Sequence, residues 1–117
     1  MLLCEIEGRG WTVPSGRVEP DECSSDAAAR EAAEEAGARL ADLQYIGSYR
    51  IVEKGAVRWA DCFTARVVDL QEITAKAESK GRQFVRAEDL PGVYHVWNEL
   101  FEQVFAHSKE VLERALA

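Results

Sequence analysis

Three glutamates and one arginine lie within one short stretch, and their types and spacing suit the binding of a cation. In a helix, which turns by about 100° per residue, Glu31, Glu34 and Glu35 fall on one stripe with Arg30 beside them. Like charges three and four residues apart repel one another, more strongly when they are partly buried. The spacing therefore predicts a bound divalent cation such as Mg²⁺, which prefers carboxylate oxygens. The alternative is a solvated acidic face of a helix.

The glutamates belong to a longer pattern that begins in a glycine-led loop. The pattern is G-x5-E-x7-R-E-U-x-E-E-x-G-U, in which U is an aliphatic residue, here Ala32 and Ala38. Its fixed positions are Gly16, Glu22, Arg30, Glu31, Glu34, Glu35 and Gly37. This pattern is the Nudix box, so the chain resembles the Nudix hydrolases, the MutT-type pyrophosphohydrolases. So many identities at fixed gaps make the resemblance specific.

The resemblance implies a metal site built on this helix. Glu34 and Glu35 are the strongest ligands for Mg²⁺, with Mn²⁺ as the other candidate ion. The main-chain carbonyl of Ser15 adds a further ligand, and Glu31 either holds the attacking water or helps to deprotonate it. All four residues are therefore predicted to act at the metal.

The remaining fixed residues of the box are predicted to shape this site. The resemblance implies an ion pair between Glu22 and Arg30 that holds the loop onto the helix, and Arg30 also orients a catalytic carboxylate. Gly16 leads the loop. Gly37 ends the helix, since glycine readily adopts the left-handed conformation that follows a helix.

The reaction that the resemblance implies is hydrolysis of a phosphoanhydride in a nucleoside diphosphate linked to another group. The leading hypothesis is a Mg²⁺-dependent enzyme that converts a nucleoside triphosphate, including an oxidised one, to the monophosphate and pyrophosphate. Nucleotide sugars, dinucleoside polyphosphates and capped RNA ends are alternative substrates, because the box contacts the diphosphate that all of them share. An alternative of another class is a Nudix-fold nucleotide-binding module that does not hydrolyse its ligand.

A few residues outside the box are candidates for catalysis or substrate binding. Glu78, in a polar loop before a late strand, is the candidate general base or further ligand, with Glu72 as the runner-up. An ordinary loop carboxylate is the alternative for Glu78. Arg50 and Arg58 are candidates for binding phosphate, although cations on strands are usually solvated. Asn98 either reads a base edge or lies at the start of a helix.

Charge is concentrated in one part of the chain. The net charge is −7, and residues 16–37 contribute seven acids and two bases to it. This balance favours cation binding and argues against binding to duplex nucleic acid, which needs a basic face. The sequence has no apolar run long enough to cross a bilayer, no export signal and no C-x2-C pair among Cys4, Cys23 and Cys62. We therefore expect one soluble, reduced, cytoplasmic domain over residues 1–117 that acts on a small nucleotide and binds no membrane.

The apolar patterns predict alternating strands and helices. The predicted elements are a strand over 2–7, a helix capped by Ser24 or Ser25 and ended by Gly37, strands over 44–53 and 56–68 joined at Lys54-Gly55, a short strand over 83–86 and an amphipathic helix over 96–116. The many alanines of the first helix predict close packing on a sheet. This order predicts an α/β/α sandwich with helices on both faces of a mixed sheet, as the resemblance also implies.

Nudix hydrolases usually have one more strand before the one predicted here over residues 2–7. Either the start is truncated, or a partner chain supplies the missing strand, or the sheet has an exposed edge, which invites pairing. We therefore expect a homodimer. Sedimentation that shows only monomer at micromolar concentration would contradict this expectation.

Overall fold

The computed structural model describes residues 1–74 and 78–116. The strands are β1 Leu2–Ile6, β2 Gly10–Thr12, β3 Ala38–Glu53, β4 Ala56–Leu70 and β5 Ser79–Phe84. Three of them form one sheet in the order β2-β1-β5, and β3 and β4 form a separate long hairpin. The chain therefore presents two sheets to the helices.

The helices are α1 Ser24–Ala36, the short α2 Leu90–Val93 after a 3-10 turn at Ala87–Asp89, and α3 Glu99–Leu116. Helix α1 contacts β1 and β5 of the three-stranded sheet and both strands of the hairpin, so it packs against both sheets. Helix α3 packs on the hairpin. Within the described residues, none of the helices combines the length and the apolar character that a membrane crossing requires.

The predicted α/β class is confirmed, but the prediction of one mixed sheet is wrong for the part of the chain that the structure describes. The pairings of β1 with β2, of β1 with β5 and of β3 with β4 are all antiparallel. Strands joined by a tight turn, as β1 and β2 are and as β3 and β4 are, pair antiparallel because a parallel pair needs a long crossover. The strands therefore divide into two antiparallel sheets.

The two ends of α1 differ in how well the sequence predicts them. The helix begins after Cys23, which has an extended backbone and makes no capping hydrogen bond with its side chain. The predicted cap at Ser24 or Ser25 is therefore wrong, because both serines lie inside the first turn. The predicted end at Gly37 is confirmed, since this glycine has φ 63° and its N–H donates to the Ala33 carbonyl oxygen at 3.0 Å.

The hairpin turn follows the prediction, whereas several boundaries do not. Lys54 has φ 49° and Gly55 has φ 79°, as a two-residue type I′ turn requires. Strand β3 begins before the predicted 44–53, and β4 ends after the predicted 56–68. Strand β5 begins and ends earlier than the predicted 83–86. Helix α3 begins three residues after the predicted residue 96. The register between β3 and β4 is irregular at three points between Arg39 and Gly47, where extra residues are left unpaired.

Two apolar clusters hold the elements together. In one, Ala32 and Ala36 of α1 pack with Cys4 and Ile6 of β1, which confirms the close approach of the alanine face to a sheet. The other joins strands to the C-terminal helices through Leu3, Val85, Leu90, Tyr94 and Phe105. The small side chains on α1 let its carboxylates lie close to β1, and they thereby position the candidate site.

Candidate active site

The loop before α1 lies directly against the carboxylates of the helix. The backbone N–H of Ser15 donates to Glu35 Oε2 at 2.9 Å. Ser15 does not have a positive φ, so its backbone conformation is open to a residue with a Cβ. The loop and the last turn of α1 are therefore joined at the point where the sequence predicts a metal.

Glu31 and Glu35 form a close pair of carboxylates. Burial, together with the nearby Glu31 carboxylate within hydrogen-bonding reach, raises the pKa of Glu35 to about 7. The hydrogen bond from the Ser15 backbone acts in the opposite direction because it stabilises the charged form. Two carboxylates this close cannot both stay charged at low cost unless a proton or a cation lies between them.

Gly16 is required by the space that Glu31 occupies. A Cβ built on Gly16 would overlap the Glu31 carboxylate. The side chain of Glu31 is only 12% exposed, so it has little room to move aside. A glycine at the head of the loop therefore lets the loop backbone contact a carboxylate of the helix directly.

Arg30 connects the loop to the helix through several carboxylates. Its Nε and Nη2 atoms donate to the two carboxylate oxygens of Glu22 at 2.9 and 3.1 Å, so the predicted ion pair is present. Its Nη1 atom donates to Glu31 Oε1 at 2.8 Å, and Nη2 also donates to the Arg17 carbonyl oxygen at 3.1 Å. The hydrogen bond from Arg30 lowers the pKa of Glu22, and the bond to Glu22 raises the pKa of Arg30. Arg30 thus fixes the loop and one carboxylate of the close pair together.

Glu34 is oriented differently from Glu31 and Glu35. Its Oε2 atom accepts a hydrogen bond from Arg30 Nη1 at 3.3 Å, and its side chain is 56% exposed. Among residues 1–74 and 78–116, no three His, Cys, Asp or Glu side chains are close enough together to form a ready-made metal site. The structure therefore brings Glu31 and Glu35 together and leaves Glu34 on the same side of the helix, bonded to arginine.

The donor atoms nevertheless suit a hard divalent ion. Carboxylate and main-chain carbonyl oxygens are what Mg²⁺ and Mn²⁺ bind, and Mg²⁺ keeps several waters, so it needs few protein ligands. The raised pKa of Glu35 shows that burial and the Glu31 carboxylate disfavour its charged form, which a nearby positive charge would stabilise. A cation at Glu31, Glu34 and Glu35 would supply that charge.

Cys4, which the sequence does not indicate as part of the site, lies beneath Glu35. Its Sγ atom is 3.8 Å from Glu35 Oε2 and 3.6 Å from the Thr12 carbonyl oxygen. Burial and the Glu35 charge raise the pKa of this thiol to about 12, so it stays neutral. The alternation of side chains along β1 places residue 4 on one face, but only the packing of α1 shows what that face meets.

Two predicted phosphate-binding residues lie on the hairpin, away from direct contact with the box. Arg58 Nη2 lies 3.5 Å from Glu53 Oε2 at the far end of the hairpin, and Arg50 is exposed on β3. In the described part of the chain, neither arginine forms a hydrogen bond or ion pair with Glu31, Glu34 or Glu35. Their role in binding phosphate stays a prediction.

Glu78 lies immediately before β5, as its predicted position in a loop before a late strand requires. Its carbonyl oxygen accepts a weak hydrogen bond from the Glu7 backbone N–H at 3.5 Å, and its side chain is exposed. Glu72 is also exposed and follows the end of β4. A role for either carboxylate in catalysis stays a prediction.

Asn98 caps α3. Its Oδ1 atom accepts a hydrogen bond from the Phe101 backbone N–H at 3.1 Å, which is the contact of an N-cap with the third residue of a helix. The helix-start alternative is therefore confirmed. The amide is engaged with the backbone, which argues against the prediction that it reads a base edge.

We expect Asn98→Ala to lower the free energy of unfolding by about 1 kcal/mol, because it removes this cap. Asn98→Ser keeps a capping oxygen but loses the amide, so it should retain most of the stability. Chemical denaturation of the three proteins measures the difference. A raised KM for a nucleotide in Asn98→Ser, without a loss of stability, would instead support reading of the base.

Comparison with known proteins places this geometry in a family. The model of the NUDIX domain matches residues 1–107. Over 80 residues, the chain is 41% identical to a Bacillus subtilis (strain 168) protein named "Putative 8-oxo-dGTP diphosphatase YtkD", a match that covers 68% of this chain and 51% of that protein. The chain thus spans about half the length of this curated relative.

Solved structures agree with the match to the family. The crystal structure of the Bacillus subtilis pyrophosphohydrolase BsRppH is 32% identical with a TM-score of 0.66, over 98% of this chain and 70% of that chain. A C. elegans Ap4A hydrolase has a TM-score of 0.74 at 20% identity, over 96% of this chain and 85% of that chain, which shows the fold alone. Because the family model covers nearly the whole chain and the box residues assemble around one helix, the chain belongs to the NUDIX domain family, the Nudix hydrolases that its box resembles.

Proposed function

We propose that this chain is a divalent-metal-dependent pyrophosphohydrolase that cleaves a nucleoside triphosphate to the monophosphate and pyrophosphate. The observation that carries the proposal is the close pair of Glu31 and Glu35, held against the loop at Ser15 and Gly16 with a raised pKa at Glu35. Such a pair is suited to hold a cation, and a cation is what brings a polyanionic substrate to an acidic surface.

The names of two relatives support this choice of reaction. The curated relative is named as a diphosphatase of 8-oxo-dGTP, and BsRppH is named as a pyrophosphohydrolase. Both names describe cleavage at a phosphoanhydride. We therefore place an oxidised nucleoside triphosphate first among the substrates to be tested, with ordinary triphosphates next.

We assign different roles in the proposed reaction to different residues of the box. Glu35, Glu34 and the Ser15 carbonyl are the groups proposed to hold Mg²⁺ or Mn²⁺, and Glu31 is proposed to position or deprotonate the attacking water. When bound, the metal supplies positive charge that polarises the phosphoryl oxygens and offsets the charge that develops there. Arg30 holds Glu31 in place and neutralises part of the charge of the acidic cluster when no metal is bound.

The direct test is turnover of a panel of nucleotides with Mg²⁺ or Mn²⁺. The panel contains 8-oxo-dGTP, the ordinary triphosphates, a dinucleoside polyphosphate and a nucleotide sugar, with pyrophosphate and phosphate assayed separately. We expect release of pyrophosphate from a triphosphate and its loss on addition of EDTA. Binding of nucleotide without turnover by a folded protein would favour the alternative of a Nudix-fold binding module.

Glu78 is proposed as the general base or as a further ligand. If it acts as a base, Glu78→Gln should lower kcat by about a hundredfold or more, because a positioned base contributes at least that much to the rate. Glu88→Gln is the matched control, as an exposed carboxylate that follows β5 and is not a candidate for catalysis. A fall in kcat of less than about threefold in Glu78→Gln would remove Glu78 from the catalytic site.

A further inference from the structure

The C-terminal end of α1 is fastened by a side chain that lies outside the Nudix box. The Nη1 atom of Arg82, on β5, donates to the Ala36 carbonyl oxygen at 2.7 Å and also to the Gln71 carbonyl oxygen. The Gln71 backbone N–H in turn donates to the Gly37 carbonyl oxygen at 2.7 Å. One guanidinium thus joins the last residue of α1 to the segment that follows β4.

This contact gives Gly37 a second reason to be glycine. Its positive φ already favours glycine, and a Cβ at this position would also overlap the Gln71 carbonyl and approach Arg82 Nη1. The end of the helix is therefore packed too tightly for any other residue. The helix cannot shift along its axis without disturbing the contact with Arg82.

Arg82 is also the neighbour, across the sheet, of the residue that contacts Glu35. Cys4 of β1 and Arg82 of β5 are directly paired across the sheet. Cys4 lies beneath Glu35, and Arg82 bonds to the next residue along α1, Ala36. Two neighbouring residues of the sheet therefore hold two consecutive residues of the helix, and one of those is a proposed metal ligand.

The charge of Arg82 has the sign that the end of a helix favours. The carbonyl groups of the last turn carry partial negative charge, and a cation there is stabilising. Without Arg82 the Ala36 carbonyl would lose its partner, and the last turn would be free to fray. Since Glu35 lies in that turn, its carboxylate would lose its fixed position relative to Ser15.

We propose that Arg82 is a positioning residue for the metal-binding carboxylates of α1, through its contact with the Ala36 carbonyl. The proposal rests on the proposed function, because it assigns Arg82 a role in the affinity for a divalent ion. Arg82 itself touches neither metal nor substrate. A purely structural role would lower the unfolding temperature but would leave the metal affinity unchanged at temperatures far below unfolding.

The experiment measures Mn²⁺ binding to the metal-free protein by electron paramagnetic resonance, well below the unfolding temperature of each variant. Arg82→Met should raise the dissociation constant for Mn²⁺ by about tenfold or more, as loss of a residue that orients metal ligands commonly does. Arg82→Lys should recover part of the affinity, because an ammonium also carries several donors on one atom. Arg86→Met is the matched control, since Arg86 is exposed and lies just after β5.

The outcomes separate this proposal from the proposed function. Wild-type Mn²⁺ affinity in Arg82→Met, together with weakened binding in Glu35→Gln, would overturn the positioning role and leave the proposed function standing. Absence of Mn²⁺ binding in the wild-type protein would overturn both. If Arg82→Met does not fold, Arg82→Lys decides: an affinity equal to that of wild type and of Arg86→Met, despite a lowered unfolding temperature, would overturn the proposal.

Discussion

Glu35→Gln is expected to lower metal-dependent turnover by on the order of a thousandfold, because a metal contributes several kcal/mol to the transition state and each 1.4 kcal/mol is about tenfold in rate. Glutamine has nearly the same shape, and its amide oxygen can still accept the hydrogen bond from the Ser15 backbone. The substitution removes the negative charge without removing the packing. The expected loss is therefore a loss of metal affinity and of catalysis rather than of the fold.

The stability of the metal-free protein gives an independent check on Glu35. Its pKa in the folded protein is about 7, above the ordinary value of 4.5. The folded state therefore binds the proton more tightly than the unfolded state, and wild-type stability falls as pH rises through the interval between these two values. Glu35→Gln lacks this titration, so its unfolding temperature relative to wild type should rise between pH 5 and pH 8 in EDTA.

The measurements are pyrophosphate release over a range of Mg²⁺ concentrations and thermal unfolding at the two pH values. Glu102→Gln is the matched control, because Glu102 is an exposed glutamate on another helix. Turnover by Glu35→Gln within about threefold of wild type would contradict the assignment of Glu35 as a metal ligand, since such a ligand supplies far more to the rate.

The features of the site that depend only on spacing along the chain could be predicted. The fixed gaps of the box put Glu31, Glu34 and Glu35 on one side of a helix, because helical geometry depends only on spacing. The same gaps bring Glu22 back to Arg30, and both oxygens of the Glu22 carboxylate accept hydrogen bonds from the arginine. The sequence also predicts where the backbone is left-handed, at Gly37 and in the Lys54-Gly55 turn.

The contacts made by distant strands could not be predicted in the same way. Cys4 and Arg82 reach α1 from β1 and β5, and their sequence separations from it carry no local signal. The pairing of strands into two sheets depends on which edges meet after folding. The orientation of Glu34 toward Arg30 is also a tertiary result, because arginine has to divide its few donors among several nearby carboxylates.

The errors in the predicted element boundaries have two physical causes. Strand β3 begins at Ala38, directly after the end of α1, although its first residues lack a clear alternation of apolar and polar side chains. Contact with α1 and pairing with β4 extend the strand there, and such tertiary contacts override weak local preference. At the start of α3 the capping hydrogen bond of Asn98 fixes the boundary, although the apolar spacing continues upstream.

Arg30→Met is expected to lower kcat/KM by about a hundredfold, because it releases both the loop and Glu31 from their positions, and a displacement of about 1 Å at a catalytic group can have that effect. Methionine fills similar volume but donates no hydrogen bond. Glu22 would lose both of its bonds to the guanidinium, and Glu31 would lose its bond at 2.8 Å. The acidic cluster would also lose the positive charge of the guanidinium, and the proposed metal ligands would lie on a loop and a helix that Arg30 no longer joins.

Two further variants test whether geometry or charge accounts for this effect. Arg30→Lys keeps the charge but cannot contact Glu22 with two parallel bonds and Glu31 at the same time, so it should recover only a small part of the activity. Arg66→Met is the control for loss of an arginine ion pair, because Arg66 bonds to Asp42 on the exposed hairpin and such a pair contributes little to stability. Full activity in Arg30→Lys would show that charge alone matters. In that case the aligned loop, and the requirement for a bidentate contact to Glu22, would have no part in positioning the carboxylates proposed to be catalytic.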